Sequence, residues 1–300
     1  MSLADENEWA RICLYGEWGS GKTTSAAHAA HLGPVRHWDA ELRLKGGPLR
    51  RLGVPTDQIQ PFREISYAAL LADIESVRED LYDAENGVWD ATVAQDRTPT
   101  KWVALVNDSV TEIVKTLLDD VIARNVRESA KRAAKRGEEV KLNPFQVDVD
   151  YYGEAVQEYR KLMREMRNLD CHLIFTAQER RDVDKNDGAV KIGPGTLPAI
   201  QAELMGYCDV VVHTYRQGRY FLGLTESGTK YMAKDAFGVL PPIMVNPTVD
   251  RLVAYMHEDL TIESDPIQQA WLAEGRASAE AAGAAVASAE APTGRRRRSG

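Results

Sequence analysis

Two hydrophobic periods alternate along this chain. Short apolar runs with strand character occupy residues 11–15, 35–39, 102–106 and 172–176, each bounded by polar or turn-forming residues. Between them apolar side chains recur every three or four positions, as in Leu70, Leu71, Ile74, Val77 and Leu81 within 68–84. The same spacing returns in Val110, Ile113, Val114, Leu117, Leu118, Val121 and Ile122, in a helix predicted to run on through a basic stretch to residue 141 until Asn143-Pro144 stops it. Further helices are predicted over 22–31 and 151–167. Residues 179–198 are polar, contain Gly188, Gly193 and Gly195, and read as an open loop able to pass from disorder to order. A helix follows, and then 209–213, 220–224 and 230–233 have the close spacing of antiparallel or edge strands. Buried strands alternating with amphipathic helices predict an α/β fold: a mainly parallel central sheet flanked by helices, with antiparallel strands at its C-terminal edge.

This pattern predicts one domain over 1–260 and a helical segment over 261–277. From 278 the chain is Ala-rich and ends in an arginine run at 295–298, with too little apolar surface to fold, so 278–300 is expected to be a disordered tail. No apolar run approaches the roughly 18 residues of a membrane span, and the N-terminus lacks a basic region followed by an apolar one. A cytoplasmic protein with no membrane partner is expected. Cys13, Cys171 and Cys208 are dispersed and odd in number, which suits core thiols rather than disulfides. The net charge of −8 argues against nucleic-acid binding over the whole surface and confines any such contact to a local patch.

One segment changes the picture from fold to chemistry. Gly16, Glu17, Trp18, Gly19, Ser20, Gly21, Lys22 and Thr23 match G-x-x-x-x-G-K-[ST] in full, with Thr24 directly after, between a predicted strand and a predicted helix. Glycines let backbone N–H groups turn inward around a phosphate, Lys22 is suited to the β and γ oxygens, and the Thr23 hydroxyl to Mg²⁺. ATP and Mg²⁺ are the expected ligands. A second anchor for the metal is Asp108, where the apolar run from Trp102 ends; the alternative is that it or Ser109 caps the following helix. His37-Trp38-Asp39-Ala40-Glu41 closes the second strand with two carboxylates; alternation along a strand would aim both at the phosphate edge as candidate bases, or leave both solvated.

Taken in order, these motifs resemble the RecA-type ATPase core: a nucleotide cradle, a strand ending Asp-Ala-Glu, an apolar strand ending Asp-Ser, and Leu173-Ile174-Phe175-Thr176-Ala177-Gln178. The nearest resemblance, over roughly residues 10–248, is to small phage-encoded RecA-like ATPases of the Sak type, which act in single-strand annealing and recombination. It implies a catalytic Glu41, a γ-phosphate sensor in Gln178, and a DNA-contacting loop over 179–198. It also implies single-stranded DNA as partner, self-assembly into a ring or filament, and the cytoplasm of a bacterial host. Tyr231 to Gly238 occupies the place of a Lys-x-Arg-x-Gly motif that reaches a neighbouring subunit's γ-phosphate. Lys234 is present and counts as a candidate catalytic residue, but Ala236 stands where arginine is expected, so hydrolysis is expected to be slow or partner-stimulated.

Arg124, Arg127, Lys131 and Lys135 are spaced to share one helix face and form either a ridge for a phosphate backbone or an ordinary solvated surface. His28, His31, His37, His172, His213 and His257 show no metal-ligand spacing, and none is assigned a role. The alternative to a DNA-binding ATPase is a nucleotide-dependent switch or assembly factor that acts on a protein partner.

Overall fold

The computed structural model describes residues 9–86, 100–136, 149–183 and 188–274. Its strands are β1 (Arg11–Gly16), β2 (Val35–Asp39), β3 (Ile59–Phe62), β4 (Ala104–Asp108), β5 (His172–Val183), β6 (Val190–Pro194), β7 (Val210–Gln217), β8 (Tyr220–Leu224), β9 (Lys234–Asp235) and β10 (Ile243–Val245). Its helices are α1 (Lys22–Ala27), α2 (Gly46–Arg51), α3 (Tyr67–Asn86), α4 (Val110–Arg136), α5 (Val149–Met166), α6 (Pro198–Tyr207), α7 (Val249–Met256) and α8 (Pro266–Ala273).

The strands form one sheet in the order β10-β8-β7-β1-β5-β4-β2-β3, with β6 on β5 and β9 on β7. From β7 through β3 the neighbours are parallel. β8, β9 and β10 add antiparallel pairs at the C-terminal edge. This is a RecA-like P-loop arrangement, in which β5 lies between the cradle strand β1 and the aspartate strand β4.

Alternation along each central strand builds the two faces. Cys13, Tyr15, Leu105, Leu173 and Phe175 point into a core with Leu70, Ile74, Ile113, Leu117, Tyr159 and Leu204, from α3, α4, α5 and α6. Ile12, Leu14, Val106, Ile174 and Val212 point the other way, onto Ala26, Ala27, Leu49 and Leu252 from α1, α2 and α7. Burial on both faces is why these strands read as continuous apolar runs. At the far edge α8 packs Trp271 against Ile243 and Val245, and the Gln268 Nε2 donates to the Ile243 carbonyl at 2.8 Å. No described helix is long and apolar enough to cross a membrane.

Several sequence expectations are corrected. The expected loop over 179–198 is a hairpin, because β5 runs on to Val183 and pairs with β6 from Glu179↔Pro194 to Val183↔Val190. The segment is polar, yet the backbone of Glu179–Val183 pairs with that of Val190–Pro194, and polarity alone does not distinguish the two cases. Nor do its glycines all serve mobility: a Cβ on Gly195 would stand 2.7 Å from the Gln178 carbonyl oxygen. The strand expected over 102–106 is β4, which starts at Ala104 and includes Asn107 and Asp108 because its pairing with β2 runs to Asp39↔Asp108; the buried Asn107 amide donates to the Tyr159 hydroxyl at 3.1 Å. The helix over 22–31 becomes a 3-10 turn at His28–His31. The strand at 230–233 is instead Lys234–Asp235. β3 carries Pro61, which disguised it; Pro61 is tolerated there because, among the described residues, β3 is an edge strand paired only with β2. The expected extension of α4 to 141 and the tail over 278–300 lie outside the described residues.

Candidate functional site

The parallel register brings three strand ends, and Gln178 within β5, to one edge of the sheet. Gly16 at the end of β1 is level with Gln178 on β5, and Asp39 at the end of β2 is level with Asp108 at the end of β4. Between β1 and α1 the chain forms the cradle. Gly19 and Gly21 have φ of 77° and 90°, in the region that favours glycine. A Cβ on Gly16 would fall 2.0 Å from the Thr214 carbonyl oxygen, and one on Gly21 would meet the Phe221 ring at 3.0 Å. Ser20 Oγ pairs with Thr214 Oγ1 at 2.9 Å, which braces the loop on β7. Trp18 projects outward and is 78% exposed, while Thr24 faces partly outward on the first turn of α1.

Lys22 is buried, and its ammonium donates to the carbonyls of Gly16 at 2.9 Å and Glu17 at 2.8 Å. Burial lowers its pKa, opposed by the negative charge of Asp108, Glu41 and Glu179. A cation held among backbone carbonyls at the heart of a glycine loop suits a polyanionic phosphate chain.

Asp108 is 5% exposed. Burial alone would raise its pKa, but hydrogen bonds with His37, Thr176 and Thr23 outweigh that and hold it below the usual carboxylate range. His37 Nε2 lies 3.2 Å from Asp108 Oδ2, and Thr176 Oγ1 donates to Oδ1. An ionised carboxylate hydrogen-bonded to the threonine of the cradle is the donor set a hard divalent cation takes, so the residues fit Mg²⁺.

The two carboxylates after β2 separate. Asp39 is fully buried; its Oδ1 accepts from the Arg43 and Leu44 backbone N–H groups at 2.8 and 3.2 Å, and its Oδ2 from Arg63. It holds a turn with both oxygens engaged, and its burial rules out the solvated alternative. Glu41 lies past the strand in that turn, and its Oε1 accepts from Ser109 Oγ at 2.8 Å and from Gln178 Nε2 at 3.2 Å. The structure therefore brings Glu41, Ser109 and Gln178 together beside Lys22 and Asp108. Lys234 is not part of this group: it pairs with Val211, and its ammonium donates to the Cys208 carbonyl at 2.6 Å, away from the cradle end of the sheet.

The hairpin is tied to the site at its base. Thr111 Oγ1 accepts from the Gln178 N–H at 3.0 Å and donates to the Gly195 carbonyl at 2.6 Å. Glu179 pairs with His213 at 3.1 Å, and Arg181 reaches Glu17 of the cradle at 3.3 Å. Sequence reasoning missed His37, Thr176, Thr111 and Thr214. His37 and Thr176 had a signal, as polar residues inside otherwise apolar strands; Thr111 and Thr214 had none. The basic helix face is partly neutralised, since Arg124 pairs with Glu154 and Glu158 and Lys131 with Glu128.

Residues 8–237 match the AAA_24 family, described as an AAA domain. No curated protein matches the chain. Among solved structures, a RadB recombinase is similar over 72% of this chain and 79% of its own, at 14% identity and a TM-score of 0.41.

Proposed function

Because the chain belongs to the AAA domain family and folds as a RecA-like P-loop core, we propose that it is a Mg²⁺-dependent ATPase whose nucleotide state controls binding of single-stranded DNA in recombination or strand annealing. The proposal extends to a homo-oligomer of the phage Sak type. The observation that carries it is the convergence of Glu41, Ser109 and Gln178, three sequence-remote motifs, at the mouth of the cradle.

In this reading Lys22 leaves the loop carbonyls for the phosphates, which the cradle's N–H groups surround. Thr23 and Asp108 would hold Mg²⁺, whose charge would offset that of the phosphates. Glu41 orients the attacking water and accepts its proton, and Ser109 keeps the carboxylate aimed. Gln178 exchanges its bond to Glu41 for the γ-phosphate, and Thr111 passes that change to the hairpin, which meets DNA. The absence of arginine at 236 and the engagement of Lys234 with Cys208 support slow or partner-stimulated turnover.

A second reading, a nucleotide switch acting on a protein partner, is favoured by the pairing of the hairpin's cations: Arg180 with Asp182, and Arg181 with Glu17 and Glu179. Fluorescence anisotropy of a labelled oligonucleotide, with and without ATP across a salt series, separates the two. The DNA reading expects binding at least about tenfold tighter with ATP and an affinity that falls steeply with salt. Weak binding indifferent to ATP would replace it with the protein-partner reading.

A further inference from the structure

Away from the catalytic edge, His28, His31 and Asp250 come together where the 3-10 turn after α1 meets α7. Residues three apart on a 3-10 turn eclipse one another, and the two imidazole rings accordingly lie 5.2 Å apart, tilted by 35°. One donor atom from each of the three residues lies within 4.8 Å of the other two. His28 Nδ1 faces Asp250 Oδ1 at 3.9 Å, too far for a hydrogen bond, and that oxygen is buried with no hydrogen-bond partner among the described residues. Buried carboxylate oxygens are normally satisfied. Burial lowers the His28 pKa, against the pull of Asp250.

Ligand atoms held at about 2.0–2.1 Å by one tetrahedral zinc ion stand roughly 3.4 Å from each other. The cluster is therefore slightly expanded relative to a metal site, and His31, which is exposed, is free to close it. We infer that His28, His31 and Asp250 form a binding site for a borderline divalent transition-metal ion, Zn²⁺ first among them, separate from the Mg²⁺ site at Thr23 and Asp108. Two imidazoles and one carboxylate select against Mg²⁺, which takes oxygen donors and waters. The three residues also line a cavity of about 430 Å³ shared with Gly21 and Thr24, so a fourth ligand from solvent has access. The ion would join α7 to the turn that carries α1, and so clamp the C-terminal part of the chain to the cradle helix.

The test uses the full chain, stripped with a chelator and free of nucleotide, titrated with Co²⁺ and then with Zn²⁺. One equivalent of Co²⁺ should bind with the visible bands of a nitrogen and oxygen site, Zn²⁺ should displace it, and saturating Zn²⁺ should raise the unfolding midpoint. His31→Ala, at an exposed position, and the isosteric Asp250→Asn should each weaken metal binding at least about tenfold, with unchanged circular dichroism. No saturable binding by the wild type, binding unaltered in His31→Ala, or thiolate charge-transfer bands from the cysteines would each overturn the site. No nucleotide is present, so failure of the ATPase reading would leave this result standing.

Discussion

Asp39 and Glu41 stand two residues apart and have opposite fates. Asp39 spends its oxygens on two backbone N–H groups and on Arg63 in a fully buried turn, whereas Glu41 meets Ser109 and Gln178 beside the cradle. Glu41→Gln should keep ATP affinity and lower kcat about 10²-fold or more, because the amide keeps the hydrogen bonds but cannot take a proton. Asp39→Ala should instead cost about 2–3 kcal/mol of stability by leaving buried donors unpaired, with a smaller effect on kcat in the folded fraction. Steady-state kinetics and urea denaturation of both variants check this; the reverse pattern would make Asp39 the base. The glycine loop and Lys22 were legible as residues, since their spacing is itself the requirement, whereas Asp108 stood out only as the end of an apolar run, with a helix cap as its alternative role. The choice between the two carboxylates was not, because it depends on where the chain turns after Asp39.

At the scale of elements, the β5–β6 hairpin is a continuation of the strand that carries Gln178, so a change at Gln178 is applied at the base of a paired ladder. Thr111 at the start of α4 bonds both Gln178 and Gly195, which links the aspartate strand's helix to both arms of the hairpin. If ATP and DNA are coupled through this joint, linkage requires that each raise the other's affinity by the same factor, typically about 5–150-fold. Gln178→Ala should remove both gains and leave basal ATP binding nearly intact. Paired titrations, ATP with and without DNA and DNA with and without ATP, measure it; a variant that retains the wild-type coupling would remove Gln178 from the switch.

At the scale of the whole molecule, the layered fold makes stability depend on mild acid through His172. This residue opens β5, is 5% exposed, and accepts the Ala10 N–H on Nδ1 at 3.0 Å, with the Trp9 and His257 rings against it. Burial, assisted by His257, pushes its pKa down to about 4. As pH falls below about 6.5 the unfolded chain takes up a proton that the folded one refuses until about 4, so stability declines across that window by roughly 3 kcal/mol. His28, also lowered by burial, adds in the same direction. Asp108 does not contribute there, since its depressed pKa keeps its stabilisation intact until the pH falls below the unfolded carboxylate value. Urea unfolding at pH 7 and pH 4.5 should show the loss, and His172→Gln should reduce it. A native His172 that titrates near 6.5 by NMR would refute the assignment.

Hydrophobic periodicity and motif spacing determined the class of fold, the parallel core with antiparallel edge strands, the position of the cradle, and the free buried cysteines. These depend on local chemistry: which faces must be buried, and where glycine is required. The tertiary structure alone decided which carboxylate meets Ser109 and Gln178, that His37 and Thr176 hold Asp108, that a polar segment pairs with itself, and that His28 and His31 meet Asp250 from a distant helix. Each of these depends on register or on packing between elements far apart in the chain, and the distances that matter there are set by the sheet and its layers rather than by the residues' spacing in sequence.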